Sequence, residues 1–221
     1  MANSDAVWEQ DGDLLRRSFA SYEEYVEVQQ SKLTKNLFNR KEFLPAYNTI
    51  YRSGLCEFLG ITAIEYAIYP DNRRPGRSVL CLGARCGPEV EAWIDLGYFA
   101  VGIDLAPGPD NKYVVHGDFH DIQYPDNSVD IVFTNSVDHS IYPDKLASEA
   151  MRVLSPSGIL IIHDRTSYGG EPDPYGATDW TAPRAIIDIF TRAGFKFTLM
   201  TKWSKAVLIE FSANGKGRAN G

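Results

Sequence analysis

From about residue 78 onward, short apolar runs alternate with segments of helical periodicity. Val79, Leu80 and Leu82 form a continuous apolar run, the pattern of a parallel strand buried on both faces. Glu89, Val90, Ala92, Trp93 and Leu96 then recur at helical spacing, and Gly97 is placed to stop that helix. Tyr98 to Ile103 reads as a second strand and Tyr113 to His116 as a short third. The turn Pro125-Asp126-Asn127 introduces a fourth strand at Val129, Ile131, Val132 and Phe133. Leu146, Ala147, Ala150, Met151 and Val153 share one face of a helix over Tyr142 to Leu154. A tight turn at 155–158 leads into a strand over Ile159 to Ile162. Residues 165–180 read as a long loop, a length more often functional than idle. A helix over Ala182 to Ala193 precedes a closing hairpin, Phe195 to Trp203 and Ala206 to Phe211.

The start of the chain reads differently. Met1 to Asp13 has no periodicity. Leu14, Leu15, Phe19, Tyr22, Tyr25, Val26 and Val28 suggest helix as far as Leu33, and Ser21 with Glu24 forms a capping-box pattern. A second helix is expected from Leu44 to Leu59 and a short third over 61–69, before a polar linker at 71–77. On this reading the first 70 residues are helical and precede any strand. Tyr22, Tyr25, Tyr47 and Tyr51 are expected to pack inside this segment, which on a functional reading lids a ligand.

The element order demands an α/β fold: a mostly parallel sheet with helices on both faces, an N-terminal helical cap and a C-terminal antiparallel hairpin at the sheet edge. At 221 residues, 44% hydrophobic and 23% charged, the chain suits one globular unit with a cap. A net charge of -7 argues against binding a phosphate backbone. Cys56, Cys81 and Cys86 give an odd count without a paired framework, as for reduced thiols. No apolar run is long enough to span a membrane and the acidic start lacks a signal-peptide core, so a cytoplasmic location is expected.

The stretch Val79 to Asp104 carries the chemistry. Gly83 and Gly87 allow backbone to approach a ligand closely, and Asp104 ends the next strand about twenty positions on, placed to accept hydrogen bonds from ribose hydroxyls. The G-x-G-x-x-G fingerprint of nicotinamide and flavin enzymes is absent, because Arg85 stands between the glycines. The stretch resembles the first two motifs of class I S-adenosylmethionine-dependent methyltransferases. Cys81 stands where that family usually has the acidic residue that helps hold the methionine end of the cofactor, and Arg85 replaces a glycine. Gly117-Asp118 followed by YPDNSVDIVFTNS, and then EAMRVLSPSGILIIHD, resemble later segments of small-molecule methyltransferases; Glu149 and Arg152 are read there as serving the fold.

The resemblance implies a Rossmann-like fold, with a helical cap over 1–76, a cofactor-binding methyltransferase domain over 77–213 and a flexible tail over 214–221. It implies S-adenosyl-L-methionine as cofactor, held by Gly83, Ala84, Arg85, Gly87, Asp104 and Leu105. Asp118 and Phe119 would recognise adenine, and Asn135 and Ser136 would line the methionine side. Arg85 either pairs with a cofactor carboxylate or points to solvent. His139 beside Asp138 follows the fourth strand, where the donor methyl is expected, and is the candidate general base. His163-Asp164 is a weaker candidate for a carboxylate-oriented site or, with Asp138, for a metal. No N-P-P-[YF] follows Asn135, which with the acidic charge favours a small-molecule acceptor, such as a sugar or metabolite hydroxyl, over nucleic acid. Two other readings stay open: another nucleotide-dependent enzyme such as a dehydrogenase, and a non-catalytic binding protein.

Overall fold

The computed structural model describes residues 7–34, 40–60, 77–109, 111–164, 171–203 and 206–213. The described chain opens with an antiparallel hairpin, β1 (Trp8–Asp11) and β2 (Leu14–Arg17). The expected helix from Leu14 is therefore overturned for its first residues. Gly12, at a φ of 60°, reverses the chain, and Leu14 and Leu15 enter a strand. Helix α1 (Tyr22–Thr34) begins at the predicted box. The Ser21 hydroxyl accepts from the Glu24 amide at 3.3 Å, and the Glu24 carboxylate accepts from the Ala20 amide at 2.6 Å. Helix α2 (Arg40–Phe58) follows. The expected third helix over 61–69, most of the linker and the tail from 214 lie outside the described residues.

The large sheet contains β3 (Ser78–Leu82), β4 (Phe99–Asp104), β5 (Val114–His116), β6 (Val129–Thr134), β7 (Leu154–Asp164), β9 (Lys196–Trp203) and β10 (Ala206–Ser212). Its order is β5-β4-β3-β6-β7-β10-β9. The first five strands are parallel, and β10 runs antiparallel between β7 and β9. The reversed strand is thus internal rather than at the edge, because the hairpin folds back to seat β10 first. β7 begins at Leu154, earlier than expected; Val129 pairs with Leu154 and a bulge follows before Ile131 meets Ile159. β8 (Thr178–Trp180) falls in the expected long loop and joins β2, giving a second sheet of order β1-β2-β8.

Helices α3 (Pro88–Asp95), α4 (Pro143–Val153) and α5 (Pro183–Arg192) each start on proline, whose missing N–H is no loss at a first helical position. The strand side chains alternate between two cores. Leu80, Leu82, Val132, Leu160, Ile162 and Phe211 face the side of α4 and α5. Val79, Cys81, Ile131, Phe133, Ile161 and Leu208 face the side of α2 and α3, where Tyr51, Leu55, Trp93 and Leu96 are buried. Arg152 ties α4 to the chain before β6: it donates to the Ile122 and Tyr124 carbonyls and to Glu149 and Asp126 at 2.7–2.9 Å. No described helix is long and apolar enough to cross a membrane.

Candidate active site

The carboxyl ends of parallel strands are where an open α/β sheet binds ligands, and a cavity of about 130 Å³ lies there under α1 and α2. Of the residues expected to bind a cofactor, Gly83, Ala84, Arg85, Asp104, Leu105, Phe119, Asn135 and Ser136 line it, as does His139. Tyr25, Gln29 and Lys32 from α1 and Tyr47 and Tyr51 from α2 complete the wall, so the cap tyrosines both pack and enclose.

The turn after β3 is shaped for close approach. Gly83 has a φ of 72°, and a Cβ on it would stand 2.6 Å from the Ser136 Cβ. Ser136 donates to the Gly83 carbonyl at 3.2 Å and to the Asn135 side chain at 2.9 Å. Asn135 in turn donates to the Tyr51 hydroxyl. Gly87, with a φ of 77°, caps α3 and is not on the cavity wall. Arg85 takes a φ of 31° at a position where glycine would be unstrained. Its amide donates to Asp104 at 3.0 Å, and its guanidinium lies 3.8 Å from the same carboxylate and donates to the Gln29 carbonyl at 3.1 Å. Arg85 is therefore turned inward, not to solvent. Asp104 also accepts from the Ala106 amide at 2.7 Å. Burial raises the Asp104 pKa, while Arg85 and the two amides oppose the rise.

Asp118 departs from expectation. It is not on the wall; its oxygens accept from the Tyr22 hydroxyl and from the His120 amide at 2.8 Å, and the His120 ring lies 3.0 Å away. Burial would raise its pKa, but these bonds outweigh that and hold it at about 2. Asp118 thus latches the cap, and the wall at this point is Phe119. The sequence pattern gave no sign that Tyr22 would meet it, 96 positions away.

His139 lies in a short 3₁₀ turn, Val137–His139, after β6. Its ring nitrogens are 3.1 and 3.3 Å from the Lys32 Nζ, and Asp138 is 3.8 Å away. Lys32 is buried, and this burial, with the charge of Arg85 nearby, lowers its pKa to about 8. Sequence reasoning missed Lys32, although Tyr25, Gln29 and Lys32 recur at the i, i+4, i+7 spacing of one helix face.

Asn135 and His139 also line a second, larger cavity of about 510 Å³. Its wall carries Asp138, Asp164, Glu171, Asp173 and Asp179, together with His163 and Trp180. Burial raises the Asp138 pKa; Lys32 opposes the rise, and the Asp173 and Asp164 charges add to it. Among the described residues no three His, Cys, Asp or Glu side chains converge as a metal-ligand set, so His163-Asp164 and Asp138 share a cavity rather than a centre. The thiols of Cys56, Cys81 and Cys86 are all free of disulfides.

Residues 80–162 match the family described as a methyltransferase domain. The fold is similar to 1,6-didemethyltoxoflavin-N1-methyltransferase of Burkholderia thailandensis, solved with 1,6-didemethyltoxoflavin and S-adenosylhomocysteine. That match has a TM-score of 0.65 at 15% identity and covers 94% of this chain and 99% of the other. A Thermotoga maritima protein, described as an S-adenosylmethionine-dependent methyltransferase and possible histamine N-methyltransferase, matches with a TM-score of 0.57 at 12% identity, over 86% of this chain and 99% of the other. An S-adenosylmethionine-dependent methyltransferase of Mesorhizobium loti matches with a TM-score of 0.52 at 14% identity, over 68% of this chain and 98% of its own. No curated protein matches by sequence.

Proposed function

We propose that this chain, a class I S-adenosylmethionine-dependent methyltransferase, methylates a small-molecule acceptor held in the acidic cavity. The observation that carries the reading is the shared wall: Asn135 and His139 border both the cavity over the glycine turn and the larger cavity beside it. S-adenosyl-L-methionine supplies an electrophilic methyl group on a sulfonium.

The residues present fit that cofactor. Gly83 lets the Ser136 side chain pack against the turn after β3, and both residues line one cavity with Asp104, Phe119 and Asn135. Asp104, with lone pairs beyond those given to two amides, accepts from ribose hydroxyls. Adenine recognition falls to the ring and backbone of Phe119, because Asp118 is committed to Tyr22 and His120. Asn135 and Ser136 line the same cavity and would border the methionine side of the cofactor.

His139 is the base. A lysine ammonium only donates, so Lys32 occupies the one acceptor nitrogen of the neutral imidazole, and an acceptor hydroxyl must displace it before His139 can take a proton. An acceptor hydroxyl seated against His139 gives up its proton there as its oxygen takes the methyl group in line. Carboxylates along the wall accept from further hydroxyls, as a sugar or similar metabolite would present. The same carboxylates favour a second reading, a basic amine as acceptor, drawn in as its ammonium and giving its proton to His139 before its nitrogen takes the methyl group.

Methyl transfer from labelled S-adenosylmethionine to panels of polyols and amines tests both, with product mass identifying the atom methylated. His139→Gln is expected to lower kcat by about 10²- to 10⁴-fold while S-adenosylhomocysteine still binds. A thermal shift with a pyridine dinucleotide, and none with S-adenosylmethionine or its product, overturns the reading in favour of a dehydrogenase.

A further inference from the structure

Glu89 carries a buried carboxylate with one oxygen left unpaired. It stands in the first turn of α3, lines the cavity over Gly83, and is only 2% exposed. Its Oε2 finds no hydrogen-bond donor among the described residues. A buried carboxylate with an unpaired oxygen costs several kcal/mol if charged, and on the helix face shared with Ala92, Trp93 and Leu96 an apolar residue would pack at less cost. Burial raises its pKa to about 8; a bond from its own backbone amide opposes the rise, and the Asp104 charge adds to it. The neighbouring strand supplies no alternative charge: Cys81 is fully buried, and burial together with the Glu89 charge keeps its thiol protonated.

We propose that Glu89 is a binding residue for the α-ammonium of the cofactor's methionine moiety, taking over from α3 the charge that β3 lacks at Cys81. The proposal rests on the methyltransferase reading. An ammonium satisfies what the orphaned oxygen needs, because it brings both a positive charge and N–H donors. The sulfonium offers charge alone, with no proton to donate. Glu89 also lies in the first turn of α3, where the helix N-terminus favours the ionised form once a partner arrives.

Pairing with an ammonium ionises the carboxylate, so ligand entry near pH 7 releases a proton to solvent. The other titratable or charged groups on this cavity are Tyr25 and Lys32 from α1, Tyr47 and Tyr51 from α2, Arg85 and Cys86 from the turn, Asp104 from β4, and His139. Only a proton that disappears with Glu89 belongs to it.

The test is calorimetry on the full chain with two probes, S-adenosylhomocysteine and 5′-methylthioadenosine, the latter a nucleoside thioether without the amino-acid group. Glu89→Gln is expected to weaken S-adenosylhomocysteine about 10- to 100-fold and to leave methylthioadenosine within about twofold. The wild type is expected to release close to one proton with S-adenosylhomocysteine at pH 7, read from buffers of different ionisation enthalpy, and the variant none. Glu89→Leu, a second variant that removes the carboxylate, shows the same split. Equal losses for both probes, or no loss for S-adenosylhomocysteine, overturn the assignment while leaving the methyltransferase reading intact. A wild type that binds neither probe overturns both.

Discussion

Gly83→Ala isolates how tightly the turn after β3 is built. The native φ of 72° is left-handed, and an L-residue there costs about 1–2 kcal/mol. The added Cβ would lie 2.6 Å from the Ser136 Cβ and 2.7 Å from its Oγ, well inside the 3.4 Å at which ordinary contact begins. Forcing Ser136 aside adds about 1–3 kcal/mol of overpacking, so the total is about 2–5 kcal/mol. For a chain of 221 residues each kcal/mol moves Tm by about 2–4 °C, giving a fall of roughly 4–20 °C. Gly12→Ala is the control: its φ is 60° but nothing lies within 4 Å, so only the conformational cost of about 1–2 kcal/mol applies. Urea unfolding of both variants, and of Gly83→Ala in a Ser136→Gly background, separates the two terms. The background is expected to return the steric share, and S-adenosylhomocysteine affinity with it. The reasoning is refuted if Gly83→Ala costs no more than Gly12→Ala, or if Ser136→Gly recovers nothing.

Two further outcomes follow from the charged groups. Tyr22→Phe removes one bond that holds Asp118 at a pKa of about 2. A depressed carboxylate contributes stability above its unfolded pKa and loses it as pH falls toward the folded value. The variant should therefore be less stable by about 1–2 kcal/mol at pH 7, with the difference shrinking in urea titrations below pH 4. Lys32, depressed to about 8 from 10.5, works in the opposite sense. Its buried cation costs stability, and that cost is relieved as pH rises from 8 to 10.5, where the unfolded chain binds more protons. The unfolding free energy of the wild type should therefore climb relative to Lys32→Met across that window; parallel curves would show that Lys32 is not desolvated.

The central strands were legible in the sequence because they are buried on both faces. Val79 to Leu82 and Val129 to Phe133 each show the apolar run of that environment. That Gly83, Asp104, Phe119 and Ser136 would gather at one end of the sheet, where they line one cavity, was legible because strand ends and tight turns carry their own residue signature. The β1-β2 hairpin was not legible. Leu14 and Leu15 satisfy a helical period as well as a strand's, and their partner Trp180 is 166 positions away. The bond between Tyr22 and Asp118 was not legible for a related reason: pairing between segments 96 positions apart leaves no local pattern. Glu89 and Lys32 were legible in principle. Each interrupts an otherwise buried helix face, and a charge on such a face marks either a buried partner or a ligand.

The small sheet β1-β2-β8 has a consequence for the order in which this protein becomes competent. It hydrogen-bonds residues 8–17 to residues 178–180, and the Ala177 amide donates across to the Asp138 carbonyl at 2.8 Å. The strand that lends Thr178, Asp179 and Trp180 to the wall of the acidic cavity is therefore held in place by β2, from far earlier in the chain. On the ribosome the glycine turn and its first two strands emerge long before Trp180 does. The cavity over Gly83 can gain part of its floor early in synthesis, whereas the larger cavity stays open until β8 has been made.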